Sequence, residues 1–242
     1  MTAASTGTIA SFHLIRYAGV DAMPFMAFDR PVLRGTAGLS FWRLLGTGRG
    51  RSMTLGADLR RWALFAVWDA EPALDRFLAS SPVAARWRDA AEEAWHVRLA
   101  PLGSRGRWGG RDPFAGHAGT GRGTRGGSGP VAVLTRASIR ASRLAAFYRS
   151  VPDVDALLRR QDGCVASVGA GEWPLVRQAT FSLWEDESAI ARFAYHGDAH
   201  HDVMRRVRRE GWYAEELFAR FAPYGSEGTW DGRNPLAPDL PP

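Results

Sequence analysis

Hydrophobic positions along the chain form two series of segments, and the second series repeats the first. Each series opens with an apolar run that predicts a strand, at residues 9–17 and 131–137, and continues with helical periodicity at 21–33 and 142–159. Two further strands, a helical stretch and a closing strand are predicted next. These strands fall at residues 39–45, 62–68 and 97–102 in the first series and at 164–168, 179–184 and 217–224 in the second. Each series therefore predicts the order βαββαβ.

The two series also share residues at constant spacing. Residues 61–77 are echoed by 177–193 at an offset of 116 (177 against 61), and residues 104–113 by 226–235 at an offset of 122 (226 against 104). The second series therefore holds six extra residues between Phe193 and Ser226. We expect shared residues, such as Trp108 and Trp230, to build the scaffold and unshared residues to carry the function.

The repeated order predicts a ferredoxin-like unit, an antiparallel sheet with its helices on one face, present twice. Two such sheets bury each other's apolar faces when they pack together, so the expected α+β fold class is the dimeric α+β barrel type, formed within one chain. The expected boundaries are an N-terminal repeat at residues 1–115, a Gly-rich linker at 116–130 and a C-terminal repeat at 131–242. Glycines in the linker do not predict a phosphate-binding loop, because no strand precedes them and no helix follows.

Composition narrows the class of protein. With 242 residues, 45% of them hydrophobic, the chain can bury a substantial core. The absence of a membrane-length apolar run and of a signal-like start favours a cytoplasmic protein without a transmembrane segment, while peripheral membrane contact stays open. The net charge is +6, but all 31 basic residues are arginine and they alternate with acids, so nucleic-acid binding is not predicted. The single cysteine, Cys164, excludes an internal disulfide.

A histidine cluster distinguishes the second half of the chain from the first. His196, His200 and His201 lie within six residues, and the matching part of the first half contains no histidine. Asp198 and Gly211 have the residue types of a helix start and stop, which predicts one helix over residues 199–210. In that helix His200 shares an apolar face with Val203, Met204 and Val207, whereas His201 shares a face with Arg205 and Arg208.

Several kinds of chemistry are open to this cluster. A neutral imidazole on a buried face ligates a metal or haem iron, but it also serves as a core residue bonded to a carbonyl. His196 and His200 have the spacing of two zinc ligands, without the glutamate of a known zinc motif. Cys164 is either a soft ligand or a small buried hydrophobe. The nearby arginines either pair with haem propionates or form a solvated face.

Five segments of the chain resemble the spheroidene monooxygenase family of carotenoid ketolases. The most specific is Glu-Gly-Trp-Tyr-x-Glu-Glu-Leu at residues 210–217, within a similar stretch at 206–221. The other four are residues 41–48, 132–140, 168–174 and 178–184. The resemblance covers nearly the whole chain outside the linker and the termini.

The resemblance implies a haem-dependent monooxygenase. Such an enzyme takes electrons from a reduced 2Fe–2S ferredoxin and inserts oxygen from O2 into an apolar substrate such as an acyclic carotenoid, giving a C2 hydroxyl and then a ketone. Related barrel families, among them aldoxime dehydratases and chlorite dismutases, seat haem against a histidine of the C-terminal repeat. The resemblance therefore implies His200 as the axial ligand of the iron, ahead of His201 or His196, with Arg205 and Arg208 at the cofactor. It identifies no catalytic residue on the opposite side of the iron.

Two other functions remain open at this point. One is a haem enzyme that acts on a non-carotenoid substrate, for example a dehydratase acting on a nitrogen–oxygen bond. The other is a haem-free binding protein that uses the same barrel. Because one chain already holds both halves of the barrel, a monomer is physically sufficient, although the sequence does not fix the oligomeric state.

Overall fold

The computed structural model describes residues 7–20, 23–49, 56–115, 129–150, 161–173, 176–196, 205–207 and 209–237. In chain order its first half contains β1 (Ile9–Tyr17), α1 (Phe25–Arg34), β2 (Leu39–Gly48), β3 (Ala57–Trp68), α2 (Glu71–Ser80), α3 (Pro82–Ala90) and β4 (Ala91–Gly106). The second half contains β5 (Val131–Ile139), a short 3-10 turn (Ala141–Arg143), β6 (Cys164–Trp173), β7 (Arg177–Trp184), α4 (Glu187–His196) and β8 (Tyr213–Gly228). Residues 144–150, 205–207 and 209–210 are also helical. Among the described residues, no helix is long and apolar enough to cross a bilayer.

The eight strands pair in the order β1-β3-β2-β6-β7-β5-β8-β4, the order of a closed barrel, and the registers described are antiparallel. The fold is therefore a mostly-sheet α+β fold. Strands β1 and β5 are buried on both faces along almost their whole length, and most of their residues are apolar, with Ser11, His13 and Arg136 as buried polar exceptions. This explains why they read as continuous hydrophobic runs rather than as alternating ones.

Contacts divide the chain into two compact units. The first contains Met1–Leu44, Leu59–Ala100 and Pro223–Pro242, and the second contains Leu45–Asp58 and Pro101–Ala222. In the first unit α2 and α3 bury Leu74, Phe77 and Trp87 in a core with Leu64 and Trp68 of β3. In the second unit two smaller clusters form, one centred on Trp184 and one on Trp212. The predicted linker lies outside the described residues except for Gly129 and Pro130, and the predicted boundaries stay predictions.

Two predicted elements differ from those in the structure. The single helical stretch expected before β4 divides into α2 and α3 at Ser81, whose hydroxyl accepts a hydrogen bond from the Val83 amide at 3.2 Å and so caps α3. The closing strands are much longer than predicted, 16 residues each. Near the end of each strand a glycine takes a positive φ, 93° at Gly106 and 80° at Gly228. A Cβ there would overlap the carbonyl oxygens of Glu216 and Ala94 respectively, so both positions require glycine.

The shared tryptophans follow these glycines. Trp108 and Trp230 are buried, and each forms an isolated backbone bridge to the arginine three residues later. Trp108 donates its indole N–H to Glu172 at 2.8 Å, and Trp230 packs on Trp95 with ring centroids 5.4 Å apart. Both tryptophans therefore close the ends of strands, as the comparison of the two halves predicts.

Candidate functional site

The predicted iron ligands lie mostly outside the described residues. His196 is the last residue of α4, but its side chain is not described, and His200, His201 and Arg208 fall in undescribed positions. Arg205 is described as an exposed helical residue. The assignment of these residues to an iron site therefore stays a prediction.

Helix α4, which leads into the histidine segment (residues 196–201), packs on an apolar layer. Asp186 starts α4 by accepting a hydrogen bond from the Ala189 amide at 2.7 Å. Ala189 is fully buried, and the Trp184 and Phe193 rings lie 5.3 Å apart between centroids. The remaining members of this layer are Val131, Val133, Leu102, Cys164, Ile190 and Phe218. Aliphatic and aromatic side chains therefore border α4, the helix that ends at His196.

The residues that follow the segment are anchored in a second apolar cluster. Val207 and Trp212 are buried with Phe147 and Ile139. The Trp212 indole donates to Glu210 at 2.9 Å. Val207 is buried and Arg205 is exposed, whereas His200 and His201, the histidines expected to share their faces, lie outside the described residues. Val207 and Trp212 are therefore anchored in this second apolar cluster.

These surroundings can be compared with what a cofactor requires. Haem needs a large apolar enclosure, an imidazole or thiolate for its iron, and cations for its propionates. The apolar layer, the three histidines of the segment and the exposed Arg205 have these properties. Within the described part of the chain, no group of three or more histidine, cysteine, aspartate or glutamate side chains could hold a bare metal ion. Of these requirements, the described residues supply the apolar layer and the exposed Arg205, whereas the histidine side chains lie outside the described part of the chain.

Cys164, the other candidate ligand, is the first residue of β6. It is partly buried against the apolar layer, and its sulfur lies 3.9 Å from the Ala166 carbonyl oxygen. This position suits a small hydrophobe with a weak S–H donor.

A pair of buried histidines in the first unit was not predicted. His13 of β1 and His96 of β4 lie opposite each other, with their Nδ1 atoms 3.0 Å apart. Burial and the neighbouring His96 and Arg98 hold the pKa of His13 well below its ordinary value. Burial lowers the pKa of His96 to about 4. Both imidazoles are therefore neutral near pH 7. The sequence places His13 in one predicted strand and His96 directly before another. It does not indicate that they face each other, because that depends on the register between the strands.

A buried ionic cluster in the second unit was also missed. Arg136 is 2% exposed, donates to Glu215, and lies 3.8 Å from Glu172. Glu215 also accepts from the amides of Gly109 and Gly110, at 2.8 and 2.6 Å. Burial is the largest single influence on the Glu215 carboxyl, and it raises the pKa. The two amide hydrogen bonds and the charge and hydrogen bond of Arg136 together outweigh burial, so the pKa lies below its ordinary value. The cluster fixes the turn that carries Trp108, so its role is structural.

Comparison with known proteins gives close relatives. No family model matches the chain. The chain is 36% identical to the spheroidene monooxygenase of Rhodobacter capsulatus over 233 residues, covering 95% of both chains. It is 36% identical to the spheroidene monooxygenase of Rubrivivax gelatinosus over 209 residues, covering 86% of this chain and 78% of the relative. A third spheroidene monooxygenase, from Cereibacter sphaeroides, is 34% identical and is covered over 60% of its length.

Solved structures show the same fold at much lower identity. An aldoxime dehydratase matches with a TM-score of 0.60 at 11% identity, covering 89% of this chain and 81% of the other. An aldoxime dehydratase in complex with butyraldoxime matches with a TM-score of 0.53 at 10% identity, covering 90% of this chain and 79% of the other. At such identities the likeness concerns the fold alone.

Proposed function

The chain belongs to the spheroidene monooxygenase family, and from that premise we propose that it is a haem-dependent monooxygenase that inserts oxygen from O2 into an acyclic carotenoid. The observation that carries the proposal is the 36% identity to a spheroidene monooxygenase over 95% of both chains. In each insertion a C–H bond becomes C–OH, one O2 is consumed, two electrons and two protons enter, and one water leaves. A second insertion at the same carbon, followed by loss of water, gives the ketone.

His200 is the proposed ligand of the iron, with Arg205 and Arg208 paired to the propionates. Haem, when bound, supplies the activation of O2. The protein would contribute apolar surroundings, because Trp184, Phe193 and the rest of the apolar layer pack beside α4. The three histidines of residues 196–201 have no counterpart in the first half of the chain. In the proposed architecture, two ferredoxin-like repeats are joined by the linker at 116–130. The histidines that only the second repeat holds therefore indicate the position of the site.

Electrons are proposed to come from a reduced 2Fe–2S ferredoxin in the cytoplasm. Arg205, Arg206 and Arg209 are exposed on the short helix that ends the histidine segment. Arg206 and Arg209 lie 3.4 and 3.6 Å from Glu210, so one carboxylate offsets part of this charge. Arg143 also lies 3.8 Å from Glu210, so three arginines share one carboxylate, and this excess of positive charge favours an acidic electron donor near the proposed haem.

The proposal is tested by the fate of isotopically labelled O2. Purified protein loaded with haem, a ferredoxin reducing system and an acyclic carotenoid should form a product that carries the label, as measured by mass spectrometry. Removing either O2 or the reductant should stop the reaction. Turnover under strict anaerobiosis with ferrous haem and no net electron supply would instead identify a dehydratase-type enzyme. A protein that takes up no haem and turns over nothing would identify a haem-free binding protein.

A further inference from the structure

A chain of hydrogen bonds leads to the buried histidine pair in the first unit. The Trp68 indole N–H donates to Ser11 Oγ at 2.8 Å. Ser11 Oγ lies 2.8 Å from Nε2 of His13, and Nδ1 of His13 lies 3.0 Å from Nδ1 of His96. Ser11 and Trp68 are fully buried, and His13 is 1% exposed. Bulk solvent therefore has little access to these three side chains.

The donors and acceptors in this series of hydrogen bonds can be assigned by starting from Trp68. An indole N–H only donates, so Ser11 Oγ accepts from Trp68. Within the described part of the chain, the acceptor that the Ser11 hydroxyl proton meets is Nε2 of His13. A neutral His13 must then carry its proton on Nδ1 and donate it to Nδ1 of His96. A neutral His96 in turn carries its proton on Nε2, which has no partner among the described residues.

His96 lines a cavity of about 130 Å³. The cavity is partly open to solvent, and its volume is comparable to that of an enclosed engineered cavity, about 150 Å³, that binds benzene. Leu74 and Leu78 of α2 provide the apolar part of its wall, and Ser226 provides a hydroxyl. The other lining residues are His13, Val97, Arg98, Gly225 and Glu227. All of them belong to the first unit.

The charges around this cavity do not suit an ion. Arg98 lies 2.7 Å from Asp75 and 3.3 Å from Glu71, so its positive charge is already matched by two carboxylates. Glu227 adds a further negative charge at the wall, which disfavours an anion. A metal ion would need a lone pair on Nε2 of His96, but the hydrogen-bond assignment places a proton on that nitrogen. A neutral ligand is the remaining class.

We propose that this cavity is a binding site for a small neutral molecule, about the size of a six-membered ring, whose oxygen accepts a hydrogen bond from Nε2 of His96. Its apolar body packs on Leu74 and Leu78. The site is separate from the proposed haem segment, which belongs to the second unit, so the two proposals stand or fall independently.

The second unit provides an internal comparison. There β5 and β8 place Thr135 opposite Phe218, whereas β1 and β4 place His13 opposite His96. Each of these residues lies 122 positions after its counterpart (135 against 13, 218 against 96). The same strand geometry therefore forms without histidines, and folding alone does not require them. The variant His13→Thr/His96→Phe transplants the pair of the second unit and removes the donor.

The first test measures the protonation of the rings. Nitrogen-15 NMR of the full chain labelled at histidine distinguishes a protonated ring nitrogen from an unprotonated one. We expect the proton on Nδ1 of His13 and on Nε2 of His96 near pH 7. A proton on Nδ1 of His96, with Nε2 unprotonated, overturns the proposal because the cavity then meets an acceptor.

The second test compares phenol with toluene, which have nearly the same shape but differ in the oxygen. Titration followed at the His96 resonances should give a phenol Kd in the millimolar range or tighter, at least about fivefold below that of toluene (about 1 kcal/mol). Leu78→Phe should fill the cavity and weaken phenol binding with the tautomers unchanged. His13→Thr/His96→Phe, followed by thermal shift, should lose the preference for phenol. Equal affinities, absent phenol binding, or unchanged binding by Leu78→Phe each overturn the site.

Discussion

Acidification should destabilise the protein through its buried histidine pair. Burial lowers the pKa of His96 from 6.5 to about 4 in the folded protein. As pH falls below 6.5, the unfolded chain takes up a proton that the folded chain does not, so the stability from this group is present above 6.5 and is lost progressively toward 4. Between about pH 7.5 and pH 5 the loss from His96 alone is about 2 kcal/mol. His13, whose pKa is also lowered, adds to the loss in the same direction.

The assay is urea unfolding at a series of pH values, with His13→Thr/His96→Phe as the matched control. Both proteins contain the same carboxylates, so the difference between their free energies of unfolding isolates the two histidines. That difference should shift by at least about 2 kcal/mol in favour of the variant as pH falls from about 7.5 to 5. A difference that stays constant over this range refutes the neutral, buried pair.

Two further substitutions test the strand ends and the buried ionic cluster. Gly106→Ala should lower the free energy of unfolding by about 1–3 kcal/mol, because φ is 93° and a Cβ would overlap Glu216. Gly103→Ala, with nothing near its Cβ, is the control, and equal losses in thermal unfolding would contradict the argument. Arg136→Leu should cost about 3 kcal/mol because it leaves Glu215 uncompensated. Arg220→Leu, which breaks a more exposed pair, should cost at most about 1 kcal/mol in urea unfolding.

Continuous apolar runs and turn residues predicted the position of every strand. The runs at 9–17 and 131–137 coincide with β1 and β5 because those strands are buried on both faces. The closing strands were predicted too short, since two consecutive glutamates lie near the start of each, Glu92 and Glu93 in β4 and Glu215 and Glu216 in β8. In β4, Trp95, Val97 and Leu99 are buried while His96 and Arg98 are only partly so. That period of two marks a strand with one polar face, and only its most apolar part was recognised.

The candidate sites were predictable to different degrees. The histidine cluster at 196–201 is visible in the sequence because its members are close together and absent from the first half. The His13 and His96 pair is not, because the two residues are 83 positions apart and meet only through the register of β1 with β4. The contact between Arg136 and Glu215 was not predictable for the same reason, because these residues are 79 positions apart and meet only through the pairing of strands. Local patterns predict elements, whereas contacts across strands require the fold.

The central claim, that this family member holds haem through His200, is tested most directly by absorption spectroscopy of the purified protein supplied with haemin. The wild type should bind haem and show a Soret band, and its ferrous carbon monoxide complex should absorb where imidazole-ligated haem does. His200→Ala should lose the band and most of the bound haem, whereas His196→Ala and His201→Ala, as matched controls, should retain both. An unchanged spectrum and haem content in His200→Ala would contradict the ligand assignment, and a thiolate-type spectrum would point to Cys164.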